Sequence, residues 1–163
     1  MVEVLVQLGV VEQAGVVLAQ VEVQVGDALT TSGVDGVYRL MLFWNAQWRL
    51  DVDVANVTAA YAGVNIAGPR ARHVLQRLCN DVDLAADAFP YLGVRMGTVA
   101  GVPARLLRVG FVGELGYELH VPVEYALHLY EQLWAAGQPH GIVNAGYRAI
   151  NSLRLEKHYL TWG

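Results

Sequence analysis

Arg105-Leu-Leu-Arg-Val-Gly-Phe-Val-Gly-Glu-Leu-Gly-Tyr-Glu-Leu-His-Val-Pro122 is the stretch around which the chain is organised. Residues 105–109 are a β-prone run. Gly110, Gly113 and Gly116 then punctuate a tight loop, and Tyr117 to Val121 is a second run that stops at Pro122. Glycines this dense cost chain entropy, so the backbone must bend sharply there or pass close to something. Side chains alternate along a strand, which puts Tyr117, Leu119 and Val121 on one face and Glu118 and His120 on the other. The segment predicts strand, turn, strand, with two acids, Glu114 and Glu118, set among apolar residues and glycines.

Upstream, residues 94–101 and 102–109 predict a hairpin turning at Ala100-Gly101. Tyr61 to Ala67 is apolar enough for a central strand. Gly68-Pro69 opens a helix to about Leu78. The acid–valine alternation of Leu50 to Val57 predicts a strand with one wet face. Residues 2–6 and 16–25 predict two further strands, with a turn at Gly26-Asp27. Thr30 to Gly36 predicts a loop in which Ser32 or Asp35 caps a helix over Val37 to Trp48. Downstream, Glu124 to Ala136 predicts an amphipathic helix stopped by Gly137, and Tyr147 to Lys157 a closing one. Trp44, Trp48 and Trp134 are expected in the core. The order predicts an α+β domain, a mixed sheet with helices on one side, ferredoxin-like in kind.

The 163 residues suit one domain, and at 55% hydrophobic and 16% charged they are apolar for a free-standing one, which suggests surface covered by a partner, a neighbouring domain or a second copy. A net charge of −4 argues against nucleic acid. The five histidines are scattered, so no metal site is expected. The single cysteine, Cys79, fits a reducing compartment and a core position. No apolar run reaches the ~18 residues of a membrane span. No basic leader opens the chain, and the expected location is cytoplasmic.

A carboxylate held on a strand accepts two parallel N–H bonds, which is what a flat heterocycle with an amino group beside a ring N–H presents. Glu118 is either such a carboxylate or a solvated strand acid. Gly-Phe-Val-Gly-Glu-Leu-Gly-Tyr-Glu-Leu119, taken with Gly146-Tyr-Arg-Ala-Ile-Asn-Ser-Leu-Arg-Leu-Glu-Lys157, resembles the folate-binding aminomethyltransferase family. That family includes the glycine-cleavage T-protein and the folate domains of dimethylglycine dehydrogenase and sarcosine oxidase α. Trp44-Asn-Ala-Gln-Trp-Arg-Leu-Asp-Val-Asp-Val-Ala-Asn-Val-Thr58 and Val64-Asn-Ile-Ala-Gly-Pro-Arg-Ala-Arg72 are most like the sarcosine oxidase α branch.

The resemblance implies a tetrahydrofolate-binding domain that transfers one-carbon units from a methylated amine or a glycine-derived aminomethyl group. Its alternative is a structural or regulatory homologue without catalysis. Glu118 corresponds to the residue that recognises the pterin edge. Phe111, Tyr117, Thr31, Ser32 and Arg148 are further cofactor-binding candidates. The family's Asp-Asp segment is matched only by Gly9-Val-Val-Glu-Gln-Ala-Gly15, leaving Glu12 and Gln13 as candidates for the catalytic position. A shift of one residue along a strand would aim Glu12 away from the cavity. Arg154 and Glu156 are expected to be structural. No flavin is encoded, so any oxidation of the amine falls to another subunit or domain. The chain is expected to be one partial domain, residues 1–163, lacking the family's C-terminal β-rich domain, with residues 1–28 poorly matched.

Overall fold

The structure is a computed structural model that describes residues 3–7, 18–24, 31–50 and 52–160. It contains strands β1 (Glu3–Gln7), β2 (Leu18–Gln24), β3 (Tyr61–Ala67), β4 (Val94–Val99), β5 (Val102–Leu107), β6 (Gly116–Pro122) and β7 (Val143–Asn144). Its helices are α1 (Thr31–Trp48), α2 (Ala71–Leu75), α3 (Ala126–Gly137) and α4 (Tyr147–Glu156). The strands form one sheet in the order β1-β2-β3-β6-β5-β4, with β7 pairing β2 in parallel and every other pair antiparallel. The α+β class and the mixed sheet with helices against one side are as the sequence predicts.

Alternation decides which side is covered. Ala62, Val64 and Ile66 of β3, Tyr117, Leu119 and Val121 of β6, and Ala104 and Leu106 of β5 are all buried. Val74 and Leu75 of α2 and Leu129 and Leu133 of α3 are buried in the same core cluster. Each fully buried large side chain contributes about 1.5–3 kcal/mol. A one-residue slip of β6 would turn its apolar set to water, so the register Val64↔Leu119 and Leu106↔Leu119 is firmly specified.

The hairpin turns where expected, and Ala100 and Gly101 both take positive φ (54° and 79°), as a two-residue primed turn requires. The turn is also pinned to the helical layer: Ala100 N–H donates to Leu78 O (2.7 Å), and Ala100 O lies 3.1 Å from His128 Nε2. Cys79 is buried beside it, and burial pushes its thiol pKa up. Asp81 takes hydrogen bonds from the Thr98 N–H (2.9 and 3.0 Å to its two oxygens) and the Thr98 hydroxyl (2.9 Å). The bond from the Thr98 N–H is the main reason its pKa lies below the usual carboxylate value.

Several sequence expectations need correction. Helix α1 starts at Thr31 and not at Val37, because residue propensity is a weak guide over so few positions. Residues 52–57 are irregular, not a strand. Two of their carbonyls are taken by side chains of α1: Asn45 Nδ2 donates to Val52 O (2.9 Å) and Tyr38 OH to Val54 O (3.4 Å). Trp44 and Trp48 are 40% and 63% exposed, not core, and stack on one another at 4.7 Å. Trp134 does pack against the core. Helix α2 ends at Leu75 and reaches Leu78 only through tighter turns. Gly137 does not stop α3 in a left-handed conformation; a 3₁₀ turn over Gln138–His140 follows, and the left-handed residue is Gly141 (φ 73°).

Two outcomes test this description. Ala100→Asn puts a residue tolerant of positive φ at the first turn position and should raise stability by about 0.5–1 kcal/mol in thermal unfolding. Asp81 has a depressed folded pKa, so its contribution is present above the unfolded value of 3.8 and is lost as pH falls through the folded one. Asp81→Asn should therefore flatten the decline of melting temperature on the acid side of that value.

Candidate functional site

The face of β6 turned away from the core carries Glu118 and His120. Glu118 lies opposite Asn65 of β3 and Leu107 of β5, and His120 opposite Gly63 and Arg105. Cross-strand partners share a face, so Asn65, Arg105 and Leu107 surround the acid and the imidazole. His120 Nε2 lies 2.6 Å from Glu118 Oε1, and the two side chains are 32% and 34% exposed. Exposed apolar side chains lie farther out on the same face: Tyr61 opposite Pro122 at the start of β3, and Val94 and Met96 of β4 in register with Leu107 and Arg105. The arrangement is a half-exposed carboxylate with one oxygen engaged, on a rigid strand, beside apolar surface.

The loop into β6 fixes where that strand begins. Gly116 pairs with Ala67, and Gly68 N–H donates to Leu115 O (2.8 Å). A Cβ on Gly116 would sit 2.6 Å from Val109 O, so backbone approaches backbone there and only glycine fits. The loop is latched to the end of α4. The Phe111 ring stacks on Tyr159 (6.3 Å, 22°), and the Arg154 guanidinium lies 6.0 Å over Phe111. Arg154 also donates to Asn151 Oδ1 (2.8 Å) and Tyr159 O (2.9 Å), and Lys157 lies 3.9 Å from Glu114. Arg154 is thus structural, as expected.

The sequence candidates are not all brought together. Tyr117 lies on the opposite face of β6 from Glu118, fully buried, its hydroxyl accepting a hydrogen bond from Arg72 Nε (3.1 Å). Phe111 is exposed in the latched loop, where it can stack only from its outer side. Arg148 is exposed on the first turn of α4, and its carbonyl accepts from the Ser152 hydroxyl. Thr31 and Ser32 open α1, but their side chains lie outside the described residues, as do Glu12 and Gln13 entirely. His120 was not a candidate. The alternation had already put it on the Glu118 face, and that was the signal.

The family profile described as the GCVT N-terminal domain matches residues 4–163. The chain belongs to that family. Among relatives of this GCVT-type domain, mitochondrial dimethylglycine dehydrogenase of Mus musculus is 41% identical over 69% of this chain and 13% of its own length. Sarcosine oxidase subunit alpha of Corynebacterium sp. (strain P-1) is 35% identical over 95% of this chain and 16% of its own. This chain therefore spans less than a fifth of either protein. A chain of the heterotetrameric sarcosine oxidase from Corynebacterium sp. U-96, solved with pyrrole 2-carboxylate, shares the fold at a TM-score of 0.57 and 16% identity, the match covering 89% of this chain and 85% of that one. No helix among the described residues is long and apolar enough to cross a membrane.

The glycine corner offers a direct check. Gly116→Ala drives a methyl into the Val109 carbonyl and should destabilise the domain by about 1–3 kcal/mol, read as a fall in the denaturant midpoint.

Proposed function

We propose that this GCVT-type domain binds tetrahydrofolate on the Glu118 face and receives a one-carbon unit from a methylated amine such as sarcosine or dimethylglycine. The observation that carries the proposal is the placement of Glu118: mid-strand, turned from the core, one-third exposed, and engaged by His120 through Oε1. The pterin fits this acceptor set. Its amino group and neighbouring ring N–H are parallel donors, and Oε2 plus the remaining lone pair of Oε1 are parallel acceptors. Leu107 lies beside the acid on β5, and exposed Val94, in register with Leu107 on β4, continues the apolar surface available to the flat ring.

When bound, tetrahydrofolate supplies the nucleophilic nitrogen that captures the one-carbon unit. The protein's part is to orient it. Glu118 fixes the pterin edge in one direction, which holds the reacting end at a constant distance from whatever delivers the carbon. For the catalytic position beside that end, the family resemblance leaves Glu12 and Gln13 as the candidates. The relatives' names supply the donor class, and the oxidation of the amine is assigned to a flavin-containing subunit or domain outside this chain.

Tetrahydrofolate should raise the melting temperature of the chain by mass action and quench its tryptophan fluorescence. Glu118→Gln removes the charge-assisted acceptor and should weaken binding by about 1.5–3 kcal/mol. Absence of binding by the wild-type chain at millimolar folate overturns the proposal. Binding without methylene-tetrahydrofolate formation from a supplied iminium donor would instead favour the non-catalytic homologue.

A further inference from the structure

We infer that His120 is the positioning residue for Glu118, and that folate recognition on this sheet face depends on the pair and not on the carboxylate alone; this rests on the reading of Glu118 as the pterin acceptor.

The geometry is specific. His120 follows Glu118 by two residues, so both side chains rise from the same face of β6, and the strand's pleat brings Nε2 to 2.6 Å from Oε1. An N–H at that distance from a carboxylate oxygen donates a short, strong hydrogen bond. It removes the rotational freedom of the carboxyl group about its terminal torsion, which is otherwise broad. With Oε1 held by His120, the plane of the carboxylate is fixed between the flanking positions Asn65 on β3 and Leu107 on β5. A heterocycle presenting two parallel N–H groups then meets a carboxylate already oriented.

The pair also answers an energetic problem that binding creates. In the free domain both groups are about one-third exposed, and a pair so close to water contributes little to stability. A flat ring laid over Glu118 expels that water. The carboxylate then needs more partners than the ligand's two donors supply, because a buried, under-bonded charge is costly. His120 is that further partner, in place before the ligand arrives, and in drier surroundings its hydrogen bond strengthens. Arg105, opposite His120 on β5, lies next along the same face. Of the other titratable positions nearby, Arg95 reaches Ala88 O and Val94 O, Asp81 holds Thr98, Tyr61 lies opposite Pro122 at the far end of β3, and Glu22 of β2 is in register with Gly63. His120 is the one with a hydrogen bond to Glu118 among the described residues.

The experiment is a double-mutant cycle in the full 163-residue chain, with tetrahydrofolate titrated against tryptophan fluorescence and the melting temperature of the free protein as a control. His120→Ala should raise the dissociation constant about tenfold, while the free protein melts within about 1–2 °C of wild type, as for an exposed pair. His120→Gln, whose amide nitrogen reaches a similar point, should restore binding to within about threefold of wild type. In the Glu118→Gln background, His120→Ala should have no further effect. Weakening by Glu118→Gln with no response to His120→Ala, or equal losses in both backgrounds, overturns the positioning role while leaving the proposed function standing. Indifference to Glu118→Gln removes the folate site itself.

Discussion

The structure depends on the two-residue period of β6. Tyr117, Leu119 and Val121 go into the core together, and this forces Glu118 and His120 out together on the other side. One alternation therefore both anchors the central strand and displays the acid. The burial energy on the apolar side is several times what any hydrogen bond on the polar side contributes. The core thus sets the register, and the position of Glu118 follows from it without any energy of its own being spent.

That dependence extends to the ends of the strand. Gly116 lets the loop pass against Val109, and Phe111, Tyr159 and Arg154 tie the loop to the last helix. The glycine corner and helix α4 are hence one physical unit: the second holds the first. Tyr117 has a similar double use. Its ring fills the core against Phe89 (5.8 Å), and its hydroxyl takes a hydrogen bond from Arg72 just past the end of β3. The helical layer and the sheet are joined at the residue beside Glu118.

Much of this was legible in the residues. Glu118 and His120 on one face, the Ala100-Gly101 turn, central β3 and helices α3 and α4 all follow from period and punctuation, which are local. What failed was what depends on a partner. The acid–valine alternation of residues 51–57 implies two faces but not a neighbouring strand, and without one the segment takes hydrogen bonds from Tyr38 and Asn45 instead. Trp44 and Trp48 read as core because large aromatics usually are, yet among the described residues they stack on each other, with Phe43 meeting Trp44 edge-on. Tyr117 sits next to Glu118 in sequence, but a strand sends neighbours to opposite faces, and its ring lies in the core. The hydrogen bond from His120 was invisible because the alternation gives a shared face but no distance.

The most direct measurement is an NMR titration of the chain with tetrahydrofolate, following the glutamate side-chain carboxyl carbons and the backbone amides of β3, β5 and β6. The account predicts a large, saturable shift of the Glu118 carboxyl signal, with smaller shifts at Asn65, Leu107 and His120. Buried Val74, Leu129 and Leu133 of the helical layer should stay unmoved. Saturable shifts confined to the helical layer, with the Glu118 carboxyl unchanged, would contradict it.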